Sequence, residues 1–129
     1  MEVPFRAALL AWLADDPFLS ATLYAIVEEV PSRTALPWLA IAASAAADWS
    51  VKDRTGREVL VALELHCRGD QPASAAEITG ALEARIAAMP SAQADFELVS
   101  NTFLRSRAEQ RAANTRAILI EYRFRILTA

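Results

Sequence analysis

The only histidine and the only cysteine of the chain are neighbours, His66 and Cys67. A thiolate–imidazole nucleophile needs both side chains within hydrogen-bond reach. Val59, Val61, Leu63 and Leu65 alternate with Leu60, Ala62, Glu64 and His66, which is the period of a strand over residues 58–67. Successive strand residues point to opposite faces, so the two cannot form a dyad. Cys67 then reads as a small buried residue and His66 as part of a polar face. One cysteine allows no internal disulfide and no cysteine zinc cluster. Gly56, Gly69 and Gly80 are too widely spaced for a phosphate loop, and no HExxH-type spacing occurs. Asp48, Asp53 and Glu58 share one polar stretch and are the best carboxylate group for a weak cation site. Asp15 and Asp16 precede Pro17 and read as a solvated helix end. The expectation is a chain with no catalytic residue, no cofactor and no metal, and therefore not an enzyme.

What remains is arginine. Residues 105–116 hold Arg105, Arg107, Arg111 and Arg116 against one acid, Glu109. Such a set suits phosphate or an acidic protein neighbour. The competing reading is a solvated hairpin connection, long against the usual two to five residues. No aromatic is interleaved, unlike the stacking platforms of single-strand nucleic-acid binders. The closing stretch, AILIEYRFRIL, puts Ile118, Ile120, Tyr122, Phe124 and Ile126 on one face. Its other face carries Ala117, Leu119, Glu121, Arg123, Arg125 and Leu127. If this strand lies beside residues 58–67, Glu64 can pair with an arginine across the ladder, a contact worth little when exposed. A face that mixes leucine, arginine and glutamate fits a protein partner better than bulk water. The protein-interaction candidates are Trp49, Arg54, Arg57, Glu64, Arg105, Arg107, Arg111, Arg116, Glu121, Arg123 and Arg125.

The elements that must position these residues follow from periodicity and breakers. Phe5, Ala8, Leu9, Trp12 and Leu13 recur at helical spacing over residues 4–14, and Pro4 suits a first turn. Asp15-Asp16-Pro17 stops that helix, and a short turn follows at 18–20. Residues 21–30 read as a strand by their β-branched and aromatic content. Residues 36–44 read as a second strand, whose continuous apolar character predicts an interior position. Residues 47–58 are a polar loop with Thr55-Gly56 at its tip. Ser74 and Glu77 have capping-box spacing, so a helix is expected from Ser74, with Ala75, Ile78, Leu82, Ile86 and Met89 as its apolar stripe. Gly80 weakens it by on the order of 1 kcal/mol, and Pro90 ends it. Residues 95–104 read as a strand, residues 105–116 as the connection, and residues 117–127 as the last strand. The fold class is α+β: a mainly antiparallel sheet of four to five strands with two helices packed on one face.

Length and composition agree. A chain of 129 residues with 54% hydrophobic and 22% charged residues is expected to be one domain over 1–129 with its own core. The net charge of −3 excludes a generally basic nucleic-acid binder. Lys52 is the only lysine, and the arginine and alanine excess reads as coding bias. Glu2, Arg6 and the two aspartates are wrong for a signal peptide. Residues 35–47 are too short to span a bilayer and contain Pro37. A soluble chain without a membrane anchor, made in a reducing cytoplasm, is expected.

The order of elements resembles the phage tail completion proteins, or tail terminators, including those of phage-like gene transfer agents. The cues are ALLAWLADDPFL leading to YAIVEEVP, then LPWLAIA opening an apolar strand, a loop with DWS and a glycine, REVLVALELHCRG before the helix SAAEITGALEARI, and RAILIEYRFRI at the close. The resemblance covers roughly the full length. His66 lies near a position where an aromatic is expected in that family. The resemblance implies an α+β fold assembled as a ring, commonly of six subunits, at the head-proximal end of the tail tube. Such a ring stops tube polymerisation and joins the head connector. The implied partners are the chain itself, the tail tube protein and a head-tail connector or stopper protein, with non-specific contact to DNA in the channel and no membrane. The implied location is the tail neck of a virion or gene transfer agent particle, assembled in the bacterial cytoplasm. The alternatives are another neck, connector or minor capsid component, or a cellular protein-interaction adaptor.

Overall fold

The computed structural model describes all 129 residues. Helix α1 (Glu2–Ala14) buries Phe5, Leu9 and Leu13, the stripe its spacing predicts. Asp16 ends the connection in extended backbone and accepts a hydrogen bond from the Leu19 amide at 2.9 Å. That cap, with Pro17 behind it, starts a second helix, α2 (Pro17–Thr22). Asp16 is thus a working cap. The helix also corrects the strand expected over residues 21–30: its first two residues are helical, and only β1 (Ile26–Val27) is extended and paired. Local capping outweighed the β-branched content there.

Four long elements and one more helix complete the chain: β2 (Trp38–Asp48), β3 (Gly56–Arg68), α3 (Pro72–Ala87), β4 (Phe96–Arg111) and β5 (Thr115–Thr128). The five strands form one sheet in the order β1-β2-β3-β5-β4. Only β1 and β2 are parallel; all other neighbours are antiparallel. The β3–β5 register sets Leu63 beside Ile120, Val61 beside Tyr122 and Val59 beside Phe124. These rows meet Phe5, Leu9, Ile78, Leu82 and Ile86 from the helices in one apolar core. Phe5 packs between Phe124 and Phe96, with ring centroids 4.8 and 5.6 Å away. The helices are clamped together: Trp12 Nε1 donates to the Arg85 carbonyl at 2.7 Å, and Arg85 Nε donates to the Trp12 carbonyl at 2.8 Å. The Arg85 guanidinium lies 3.3 Å from the Trp12 ring centroid, a cation–π contact.

Four further expectations change. The α3 stripe is buried as predicted, but the helix starts two residues before Ser74. Gln71 is its N-cap and no side chain caps it, so Ser74 and Glu77 form no capping box; Pro72 takes the first turn instead. The loop tip is not Thr55-Gly56: a bridge between Val51 and Arg54 puts Lys52 and Asp53 at the turn, and Gly56 already belongs to β3. β2 is interior only along 38–41; residues 42–48 are exposed because β1 covers no more than Leu39 and Ala40. The largest change concerns residues 105–116. They are not a connection. β4 continues through Arg111, and the turn is confined to 112–114, where Ala113 and Asn114 adopt φ of 59° and 54°. Unbroken ladder pairing from Arg105 to Thr115 outweighs the polar composition.

Candidate functional site

Helices cover one face of the sheet. The opposite, outer face is built from alternate residues: Glu58, Leu60, Ala62, Glu64 and His66 on β3, and Leu119, Glu121, Arg123 and Arg125 on β5. β4 adds Arg105, Arg107, Glu109 and Arg111, because the register sets Arg105 beside Glu121 and Arg107 beside Leu119. The period-two reading of the last strand holds: Ile120, Tyr122, Phe124 and Ile126 are buried in the core, and the arginines stand on the other side.

The fold pairs almost all of this charge. Arg105 donates to Glu121, and Arg125 Nε donates to Glu58 at 3.1 Å. Arg111 donates to Glu109 at 2.8 Å, and its Nη2 lies 3.6 Å from Glu64; Arg107 lies 3.2 Å from Glu109. The Arg111 hydrogen bond holds the Glu109 carboxyl below the ordinary carboxylate range. Hydrogen bonds to Glu121 and Glu109 raise Arg105 and Arg111 respectively. Each exposed pair is worth about 0–1 kcal/mol, so the result is charge matching more than stability. Glu64 does not pair across the ladder as expected; its β5 neighbour is Leu119, and it reaches His66 and Arg111 instead. Glu64 is 9% exposed, and His66 stacks flat on Trp38 with centroids 4.2 Å apart. His66 Nε2 lies 3.3 Å from the Glu64 carboxylate without hydrogen-bond geometry. Arg123 is the exception: its Nε is buried with no partner.

The remaining candidates divide. Trp49 lies at one end of the outer face, 5.5 Å from the Arg125 guanidinium to its ring centroid. Arg54 ties the 49–55 loop to the ends of β4 and β5 through Glu97 and the Thr128 carbonyl, at 2.9 and 3.0 Å. Arg57 reaches Glu2 at 3.1 Å and Asp48 at 3.5 Å. Arg116 falls on the helix side, beside Pro72 and Ala75 of α3. Arg54, Arg57 and Arg116 are thus not part of the face. Cys67 is buried on the core side, and burial pushes its thiol up, the opposite of nucleophile activation. Asp48, Asp53 and Glu58 are not brought together: Asp48 meets Arg57, Glu58 meets Arg125, and no group of three or more potential ligands exists.

Sequence reasoning placed Leu60 and Leu119 on this face but missed the apolar part that β4 contributes. Leu60, Val99, Phe103 and Leu104 are 43–45% exposed. Leu60 and Leu104 line a shallow recess of about 250 Å³ with Ala43, Ala45, Ala62 and Glu121. Leu60 was readable from its alternation with Val59 and Val61. Val99 stands opposite buried Leu98 as alternation has it, but Leu104 was not readable, because the bulge at Leu98/Ser100 shifts the alternation before Leu104 is reached. No helix is long and apolar enough to cross a membrane.

Comparison with known proteins matches this architecture. The family model described as "Tail completion protein gp17" matches residues 7–128. No curated protein matches the chain. Among solved structures, a chain of "Virion of native gene transfer agent (GTA) particle" shares the fold with a TM-score of 0.74 and 22% identity, over 94% of this chain and 92% of that one.

Proposed function

The chain belongs to the tail completion protein gp17 family, a family of tail structural proteins and not an enzyme class, and on that premise we propose that it forms a ring at the head-proximal end of the tail tube. The ring stops tube polymerisation and offers a surface to the head connector or stopper protein. Its partners are other copies of the chain, the tube protein and the connector, in the neck of a phage or gene transfer agent particle assembled in the bacterial cytoplasm. The likeness to a chain of a gene transfer agent particle is one of fold and is compatible with that setting. The observation that carries the reading is the outer sheet face. No element covers it, four of its five arginines are matched by Glu58, Glu64, Glu109 and Glu121, and leucines stand between the pairs. Pre-paired charge over exposed leucine suits a specific protein contact, in which pairs trade partners without isolated charges being buried. The same pairing makes DNA in the channel a weak, non-specific contact: five arginines at 105, 107, 111, 123 and 125 stand against four carboxylates, far from a basic stripe.

Deleting the gene in its producing host and measuring tails by negative-stain electron microscopy tests this. Overlong, headless tails are expected. Normal tails beside separate heads move the chain to the connector side of the neck. Intact transducing or infectious particles remove it from the tail and return the adaptor reading.

A further inference from the structure

Both edges of the sheet are open. On one side, β1 pairs with only Leu39 and Ala40, which leaves the backbone of residues 41–48 without a neighbour. On the other side, β4 has no neighbour beyond an isolated bridge between Ala92 and Glu97. Open edges offer unpaired amides and carbonyls to another strand, and monomeric proteins guard them with charge or proline. Residues 42–47 read Ala-Ala-Ser-Ala-Ala-Ala and carry neither. They are exposed on both faces of the sheet.

The two open stretches lie at one height. The ladder sets Ser44, Val61, Tyr122 and Phe103 in one row, and Ala45, Leu60, Arg123 and Thr102 in the next. At this height one edge is a run of alanines. The other carries Val99, Phe103 and Leu104, all exposed, two of them the extra residues of bulges. Large apolar side chains at one edge and none at the other are complementary shapes. We propose that these edges meet between copies: residues 42–47 of one chain pair antiparallel with β4 of the next, and Val99, Phe103 and Leu104 pack over its alanines.

The direction follows from the topology. β2, β3, β5 and β4 alternate in direction, so β2 and β4 of one chain run antiparallel. Rotation about an axis along the strands preserves strand direction, so the next chain's β2 meets β4 antiparallel and the alternation continues. The contact joins two different edges, so it is heterologous and repeats until it closes. This deepens the ring reading and rests on it: the ring becomes one continuous sheet, with the charge-matched face on one side all the way round.

Cysteine pairing tests the proposal. In a Cys67→Ala background, Ala45→Cys and Thr102→Cys are made singly and together, with folding checked by thermal melting. On mixing the single variants under mild oxidation, the 45–102 disulfide is expected to dominate, and the double variant is expected to lose its monomer band to a ladder of multimers. Adding Leu104→Asp, at an exposed position, keeps the monomer melt and abolishes the link. A predominance of 45–45 or 102–102 dimers, or monomers throughout, overturns the pairing. Complementing the deletion strain with the double variant separates the two readings. A link that forms in a chain absent from tail ends removes the ring position and keeps the pairing. A chain present at tail ends without the link does the reverse.

Discussion

Gly56 and Gly80 are predicted to respond to the same substitution with opposite signs. Gly80 lies exposed inside α3, and a Cβ built there meets nothing within 4 Å. Alanine then removes the helix-propensity deficit of glycine, about 0.8–1 kcal/mol, with no steric cost. Gly56 starts β3 opposite Leu127. Its φ is not positive, so conformation does not require glycine. Space does: a Cβ there would stand 2.4 Å from the Trp49 carbonyl oxygen, 2.7 Å from Leu127 Cδ2 and 2.9 Å from the Ile126 carbonyl oxygen. Two of the three are backbone, and Trp49 is held by its amide donating to the Gly56 carbonyl at 3.0 Å. Overpacking of this kind costs about 1–3 kcal/mol or more. For 129 residues, an unfolding entropy of about 2.1 cal/mol/K per residue makes 1 kcal/mol worth roughly 4 °C. Calorimetry should show Gly80→Ala melting roughly 3–4 °C higher and Gly56→Ala roughly 4–11 °C lower. Two shifts of the same sign, or a neutral Gly56→Ala, would refute the assignment of one glycine to space and the other to no structural need.

Other expectations use the same physics. Burial lifts the Tyr122 hydroxyl from near 10 to about 12, so the neutral form is favoured in the fold. That contribution, on the order of 2 kcal/mol, is fully present below pH 10 and lost as pH rises through about 12; Tyr122→Phe should flatten denaturant midpoints over that window, and an unchanged slope would count against it. Ala113 holds a left-handed φ of 59° at the β4–β5 turn, which costs a non-glycine residue about 1–2 kcal/mol; Ala113→Gly should raise the urea midpoint, and a fall would mean that glycine's chain entropy dominates. Phe124, fully buried against Phe5, should cost about 3–5 kcal/mol on truncation to alanine, read by chemical denaturation. Replacing Arg105, Arg107 and Arg111 together by alanine should cost about 0–1 kcal/mol for each exposed pair, and about 1–3 kcal/mol where Arg111 leaves buried Glu64 with only His66, while impairing tail assembly; normal assembly and DNA delivery would remove this hairpin from the interface.

Periodicity alone settled the sides of β3, β5 and α3. The alternation in 58–67 and 117–127, and the helical stripe from Ala75 to Met89, name the core because a packed face demands apolar residues at the period of the element. It also separated His66 from Cys67, and the element order was enough to resemble the right family. Tertiary structure decided what periodicity cannot encode. Composition marked residues 105–116 as a polar connection, yet a ladder with β5 carries β4 through them, since strand pairing depends on a partner distant in sequence. Register chose Glu121 and Glu58 as the partners of Arg105 and Arg125 and brought Arg111 to Glu64. A bulge at Leu98/Ser100 shifted the alternation that reaches Leu104, and the brevity of β1 left the alanine edge bare. Each depends on which backbone lies beside which, and local pattern carries no record of that.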